Sequence, residues 1–237
     1  MFYIFNNYDI IILMGQVRTI LLERSVFADN DARASILRSD LAHDGVMLVN
    51  VMSSPGAGKT STLTSLINCI KDKVKIAVME ADIDSDVDAK SIVKNTGVDS
   101  IQLHTGGMCH LDADMTRDGL NAVDYKKYDL IFLENVGNLV CPAEFDTGAT
   151  MDIMILSTSE GDDKPLKYPL IFQKCDLVII SKIDAMKYFT FNLDKCIENI
   201  KYRNKDAKII PISNKTQEGI DELANFFLNK IKTYKEI

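Results

Sequence analysis

The run Ser53-Ser54-Pro55-Gly56-Ala57-Gly58-Lys59-Thr60 limits what this chain can fold into more than any other segment. It follows a mostly apolar stretch at 46–51 and opens a segment at 60–72 with helical spacing of its apolar residues. This is the GxxxxGK[ST] pattern of strand, glycine-rich turn and helix, with Ser53 in the first glycine position. Gly56 and Gly58 lack the Cβ that would keep backbone amides from curling around phosphate oxygens. The helix that follows points its positive end at the same anion. Lys59 then reaches the β- and γ-phosphates and the Thr60 hydroxyl can ligate magnesium. Ser54, Pro55, Ala57 and Ser61 complete the expected cradle. The competing reading is a glycine turn with a chance Lys-Thr, which the flanking strand and helix argue against.

Further apolar runs occur at 75–79, 100–103, 130–134, 153–156, 177–180 and 208–212. Most are unbroken rather than alternating, as in strands covered on both faces. Helical spacing occupies 86–95, 112–123, 191–203 and 218–232, and a helical pattern also covers 17–41. Such alternation predicts an α/β fold with a doubly wound, mostly parallel sheet flanked by helices. The expected organisation is a short N-terminal extension, 1–16, and one domain, 17–237, with a helical N-terminal segment. The apolar stretch at 10–13 is too short to span a bilayer and lacks a positive lead-in. Met1 and Met14 are both candidate starts.

Two elements select the base. Ser181-Lys182-Ile183-Asp184 follows the run at 177–180 and has the form of the Asn-Lys-x-Asp loop, with Ser for Asn. Asp184 would accept from guanine N1 and N2, for which adenine offers no matching donor pair, and the Lys182 stem would cover the base. Ser213-Asn214-Lys215-Thr216 follows the run at 208–212, where a backbone amide would read guanine O6. Their order favours GTP over ATP.

Acids cluster from Glu80 to Asp88, five in nine residues. A solvated helix start accounts for such a cluster. Asp82, however, falls at the carboxyl end of a strand beside the cradle and is the expected partner of Thr60 for magnesium, ahead of Asp86 and Asp88. The run ending in Glu134 has the Walker B form, and Asn135-Val136-Gly137-Asn138 would sense the γ-phosphate.

Cys109 and His110 offer a thiolate and an imidazole, ligands for nickel or zinc rather than magnesium. Adjacent strand residues face opposite ways, so a shared metal needs a turn, which Gly106 and Gly107 can supply. Cys141, seven residues after Glu134, is the third candidate. The alternative is that these cysteines are small buried apolar groups. Cys69, Cys175 and Cys196 read as packing residues, and His43 and His104 as structural. Five scattered cysteines show no disulfide framework and suit a reducing cytoplasm. A net charge of −7 argues against nucleic acid or anionic membrane as partners.

Taken together, 53–60, Cys109-His110-Leu111-Asp112-Ala113 and Glu134-Asn135-Val136-Gly137-Asn138-Leu139-Val140-Cys141-Pro142 resemble the HypB-type hydrogenase nickel-incorporation GTPases. Glu160-Gly161-Asp162-Asp163-Lys164, Lys167-Tyr168-Pro169 and Asn30-Asp31-Ala32 add to the likeness, which spans roughly 17–228. The resemblance implies a SIMIBI-type G domain and a slow GTPase that uses Mg2+. It implies a homodimer in the GTP-bound state, with Cys109, His110 and Cys141 holding Ni2+ or Zn2+ between subunits. Nickel-maturation accessory proteins and a hydrogenase large subunit are the implied partners. One of Lys164 and Lys167 is expected to reach the partner subunit's nucleotide. The chain carries neither the N-terminal cysteine motif nor the histidine-rich tract of some relatives, so nickel storage is not expected. Gln217 stands where relatives often have Gly. Two other readings fit part of the pattern: a urease-type nickel chaperone, and a non-catalytic GTP-binding switch with structural zinc.

Overall fold

The computed structural model describes residues 17–21, 30–82 and 85–236. Its strands are β1 Val17–Leu21, β2 Met47–Ser53, β3 Ile76–Asp82, β4 Asp99–His104, β5 Leu130–Glu134, β6 Met151–Ser157, β7 Leu177–Ser181 and β8 Lys208–Pro211. Its helices are α1 Asn30–Asp44, α2 Lys59–Ile70, α3 Val87–Thr96, α4 Ala113–Val123, α5 Cys141–Glu144, α6 Lys164–Lys167, α7 Pro169–Lys174, α8 Leu193–Arg203 and α9 Ile220–Lys235. The strands form one parallel sheet in the order β1-β4-β3-β5-β2-β6-β7-β8.

Both faces of the sheet are covered, which is why its strands read as unbroken apolar runs. Val49, Val78, Phe132, Ile155 and Ile179 bury one face against α2, α3 and α9. Phe132 meets Phe227 of α9 edge to face, with centroids 5.4 Å apart. Burying two such rings contributes about 1.5–3 kcal/mol each. The opposite face carries Leu48, Met79, Leu103 and Leu133 beneath α1 and α4, and Met52, Leu156 and Ile180 beneath α7 and α8. Among the described residues no helix is long and apolar enough to cross a membrane.

The seven expected strands are present as β2 to β8. The helical pattern expected over 17–41 is corrected: Val17–Leu21 is an edge strand, Ile20 lying opposite Leu103, and α1 begins only at Asn30. Val17, Thr19 and Ile20 are β-branched and suit an edge strand, while the apolar spacing of so short a window also fits a helix. Residues 22–29 and the extension 1–16 lie outside the described residues.

A polar chain crosses the apolar layer under the site. Asn135 Nδ2 donates to Asn50 Oδ1 at 3.0 Å, and Asn50 Nδ2 donates to Asp152 Oδ1 at 2.8 Å. Burial pushes the Asp152 carboxyl up to about 6. The folded state therefore holds this proton more tightly than the unfolded chain, and that stabilisation is lost as pH rises through about 6. Asp152→Asn keeps an acceptor for Asn50 and removes the charge. Allowing for partial exposure, its stability gain should be about 1–2 kcal/mol larger near pH 7.5 than near pH 4. Urea unfolding at the two pH values checks this, and an equal effect at both would refute it.

Candidate nucleotide and metal site

The carboxyl ends of β2, β3, β5, β7 and β8 bring the expected elements to one edge of the sheet. After β2 the backbone passes through Gly56 (φ 74°) and Gly58 (φ 101°), a conformation L side chains avoid, before α2 starts at Lys59. Among the described residues no side chain caps α2, so its first N–H groups stay available to an anion. Ser53 is fully buried, and its Oγ donates to Ser54 O at 2.7 Å, which accommodates serine in the first glycine position. Ser54 Oγ donates to the Glu160 carboxylate.

The β7 loop grips this cradle from outside. Ser181 Oγ donates to Ala57 O, and Lys182 Nζ to Gly56 O, both at 2.7 Å. Lys182 is left-handed (φ 62°), which lays its stem across the turn. Asp184 Oδ1 accepts from Ser213 Oγ at 2.6 Å, so the β8 loop aims the carboxylate of the β7 loop. Asn214 Nδ2 donates to Thr62 Oγ1 of α2 at 3.0 Å. Gln217 adopts φ 65°, a conformation glycine takes more easily, and is held by Nε2 donating to Asn214 O at 2.6 Å. Gly219 has no alternative: a Cβ there would lie 2.2 Å from Pro211 O.

These loops enclose a cavity of about 720 Å3. Gly56, Gly58, Lys59, Thr60 and Ser61 line it, together with Lys182, Asn214 and Lys215. Ser54, Pro55, Ala57, Asp184 and Ser213 do not line it. Thr60 Oγ1 donates to Glu134 Oε1 at 3.0 Å, and Lys59 Nζ lies 3.7 Å from the same oxygen. Asp82 accepts from Ser85 N at 2.9 Å, and Asp88 rather than Asp82 lines the cavity. Asp86 pairs with Lys90.

Glu80, a member of the acidic cluster given no role from sequence, lies opposite Glu134 in the β3–β5 register. Both are buried, and burial is the first cause raising each carboxyl; Glu80 rises furthest because Glu134's charge adds to it. Glu134 is held toward the charged form by Glu80, Lys59 and Thr60. Among the described residues no N–H or hydroxyl reaches Glu80 Oε1 or Glu134 Oε2. A proton held by Glu80 and shared with Glu134 meets part of that need, and a cation beside Thr60 would meet the rest.

The expected turn before Cys109 is present. Gly106 (φ 62°) and Gly107 (φ 93°) are both left-handed, and Thr105 Oγ1 ties the turn to Met108 O at 2.7 Å. Ligand atoms of Cys109, His110 and Cys141 lie within 4.8 Å of one another. Both thiols are half-buried rather than core groups. Burial lowers the His110 pKa, which favours the neutral, ligating imidazole. A hydrogen bond shared with Cys109, followed by burial, raises Cys141. Its proton must leave when a metal enters, so affinity should rise with pH. The Phe145 ring stacks on His110 with centroids 3.6 Å apart, a contact no local pattern announces.

One segment joins the two sites. It leaves the cavity at Glu134 and reaches the metal cluster at Cys141. Gly137 packs on the cradle, where an added Cβ would come within 3.1 Å of Pro55. Asn138 Nδ2 donates to Cys141 Sγ at 3.5 Å. Away from this axis, Lys167 pairs with Asp163 at 2.6 Å and Lys164 sits 5.0 Å over the Tyr168 ring. Cys175 and Cys196 are buried as expected, and burial pushes Cys196 up to about 12. Cys69 is exposed on α2, so its reading as a packing residue is corrected. His43 meets Asp44 at 3.3 Å.

The family description CobW/HypB/UreG, nucleotide-binding domain, matches residues 47–211. The chain is 41% identical over 208 residues to the hydrogenase maturation factor HypB of Rhizobium leguminosarum bv. viciae, covering 88% of this chain and 69% of that protein. It is 40% identical over 217 residues to the hydrogenase/urease maturation factor HypB of Helicobacter hepaticus, covering 90% and 88%. The crystal structure of HypB from Helicobacter pylori in complex with nickel superposes with a TM-score of 0.81 at 38% identity, covering 87% of this chain and 96% of that one.

Proposed function

This chain belongs to the CobW/HypB/UreG family, and on that premise we propose that it is a HypB-type maturation GTPase that hydrolyses GTP and carries nickel to a hydrogenase. The observation that carries the reading is the single segment from Glu134 to Cys141, with its nucleotide end on Thr60 and its metal end on the Cys109–His110 pair. The nickel complex of the Helicobacter pylori relative supports nickel as cargo. A relative named for both hydrogenase and urease brings a urease within the range of clients. Under this reading the protein is cytoplasmic, forms a homodimer when GTP is bound, and meets accessory maturation proteins and the hydrogenase large subunit.

Lys59 and the first amides of α2 would hold the phosphates, and Asp184 with Lys182, Ser213, Asn214 and Lys215 would hold the guanine. The carboxyl pair beside Thr60 fits a divalent cation. Mg2+ would be held by Thr60, with Glu134, the cavity-lining Asp88 and Asp82 at the end of β3 supplying negative charge, and when bound it neutralises phosphate charge. Lys59, preorganised by burial, stabilises the charge that develops as water attacks.

The structural-zinc reading is less well supported. Structural zinc sites are closed sets of four ligands. Here three ligands cluster among the described residues, and two of them are half-exposed, as suits a metal that must leave. The test is nickel and zinc titration with GDP and with a non-hydrolysable GTP analogue, with mass followed by light scattering. Stoichiometric nickel is expected, with affinity differing between the nucleotides and a doubled mass with the analogue. Equal affinities would sink the coupling. Metal removal should leave the fold intact; unfolding on chelation would restore the zinc reading.

A further inference from the structure

Two separate loops bring the metal ligands together. Cys109 and His110 sit in the loop that enters α4, and Cys141 opens α5 and the turn beyond it. What holds these loops in register lies outside both. The Asn30 side chain, at the first residue of α1, accepts from Ala113 N at 2.9 Å through Oδ1 and donates to Asp146 O at 2.9 Å through Nδ2. Ala113 is the first residue of α4, three positions after His110. Asp146 follows Phe145, whose ring stacks on His110. One planar amide therefore spans the two loops, with a different atom committed to each.

We propose that Asn30 is a positioning residue for the metal site, bracing the Cys109–His110 loop against the Cys141–Asp146 loop. The proposal rests on the metal reading above and extends it to a residue that is not itself a metal ligand. The Asp146 end of the brace is itself fixed. Arg38 reaches both Asp146 carboxylate oxygens, at 2.6 and 2.9 Å, and donates Nε to Ala149 O at 2.8 Å. Gly148 N donates to Asp146 Oδ1 at 2.8 Å. Asn30 thus pulls on an anchored carbonyl. Asn30 is the required residue type because the brace needs one acceptor and one donor about one amide width apart. Serine is too short to span the gap, and aspartate has no donor.

That asymmetry gives the test. Asn30→Asp keeps the acceptor for Ala113 N and sets a carboxylate oxygen against Asp146 O; Asn30→Ala removes both bonds. If the side chain merely caps α4, aspartate should restore wild-type behaviour, since a negative charge suits a helix start. If it braces the site, both variants should lose nickel affinity by about 10–100-fold, the usual loss when a group supporting metal ligands is removed. Nickel titration would be read together with the thiolate-to-nickel absorption band, GTP affinity and the melting temperature. The expected result is a weakened and shifted band in both variants, with GTP affinity unchanged and Asn30→Asp melting near wild type. Wild-type nickel binding in Asn30→Asp would overturn the brace, as would nickel loss that only tracks falling melting temperature. A wild-type protein that binds no nickel would instead sink the metal reading, and this proposal with it.

Discussion

Asp184→Asn should turn the site from GTP toward xanthosine triphosphate. Guanine presents two donors on one edge, N1–H and the N2 amino group, and a carboxylate accepts from both. An amide presents one acceptor and one donor. It can take N1–H, but its NH2 then faces the guanine amino group with nothing to accept it. Xanthine carries an oxygen at that position, which the amide can donate to. A site built around a substrate's donors rejects a mismatched partner by about 10⁴-fold. The exchange is nearly isosteric, and Ser213 Oγ, now 2.6 Å from Asp184 Oδ1, can still hold the new group. Competition of GTP, xanthosine triphosphate and ATP against a fluorescent nucleotide reads the effect. GTP affinity should fall by roughly 10³–10⁴-fold while that for xanthosine triphosphate rises. Wild-type preference for GTP would mean that Asp184 does not read the base.

What the sequence made legible follows from the range of the forces involved. The apolar runs announced strands buried on both faces, and β2, β3, β5, β6 and β7 lie where those runs fall. The cradle was legible because three constraints meet in eight residues: glycine conformation, helix start and Lys-Thr chemistry. Cys109, His110 and Cys141 were legible as types, and the left-handed Gly106 and Gly107 supply the turn the pair requires. What stayed hidden depends on register between distant segments. Glu80 looked like one acid among five until β3 was set beside β5, opposite Glu134. Asp82 seemed better placed than Asp88, yet Asp82 accepts from Ser85 N and Asp88 lines the cavity wall. Asn30 and Asp146 are 116 residues apart, and no local window can pair them. The edge strand β1 was missed because five residues carry too little periodicity to tell strand from helix.

Lys59→Ala should abolish most GTP hydrolysis while leaving the fold in place, and the surroundings of the ammonium explain both halves. Its side chain is 11% exposed, and it stands 3.7 Å from Glu134 Oε1 between the cradle and the buried carboxyl pair. At so buried a position the charge is not replaced at low cost, and removing one preorganised electrostatic stabiliser lowers kcat by about 10²–10³-fold. The same removal strips Glu134 of its cation. Were both carboxyls fixed as anions, the fold would suffer, because an uncompensated buried charge costs about 3–5 kcal/mol. They are not: burial already raises both, and Glu80 and Glu134 can hold a second proton between them. Proton uptake therefore absorbs the electrostatic loss, whereas hydrolysis has no such substitute. Lys59→Arg is the sharper companion, since it keeps the charge but replaces a point donor with a planar fork. Single-turnover hydrolysis with both variants, beside their melting curves, separates the effects. Folded proteins with hydrolysis reduced by about 10²-fold or more are expected. Rates within a few-fold of wild type in Lys59→Ala would remove Lys59 from the chemistry and leave the cradle as a binding site alone.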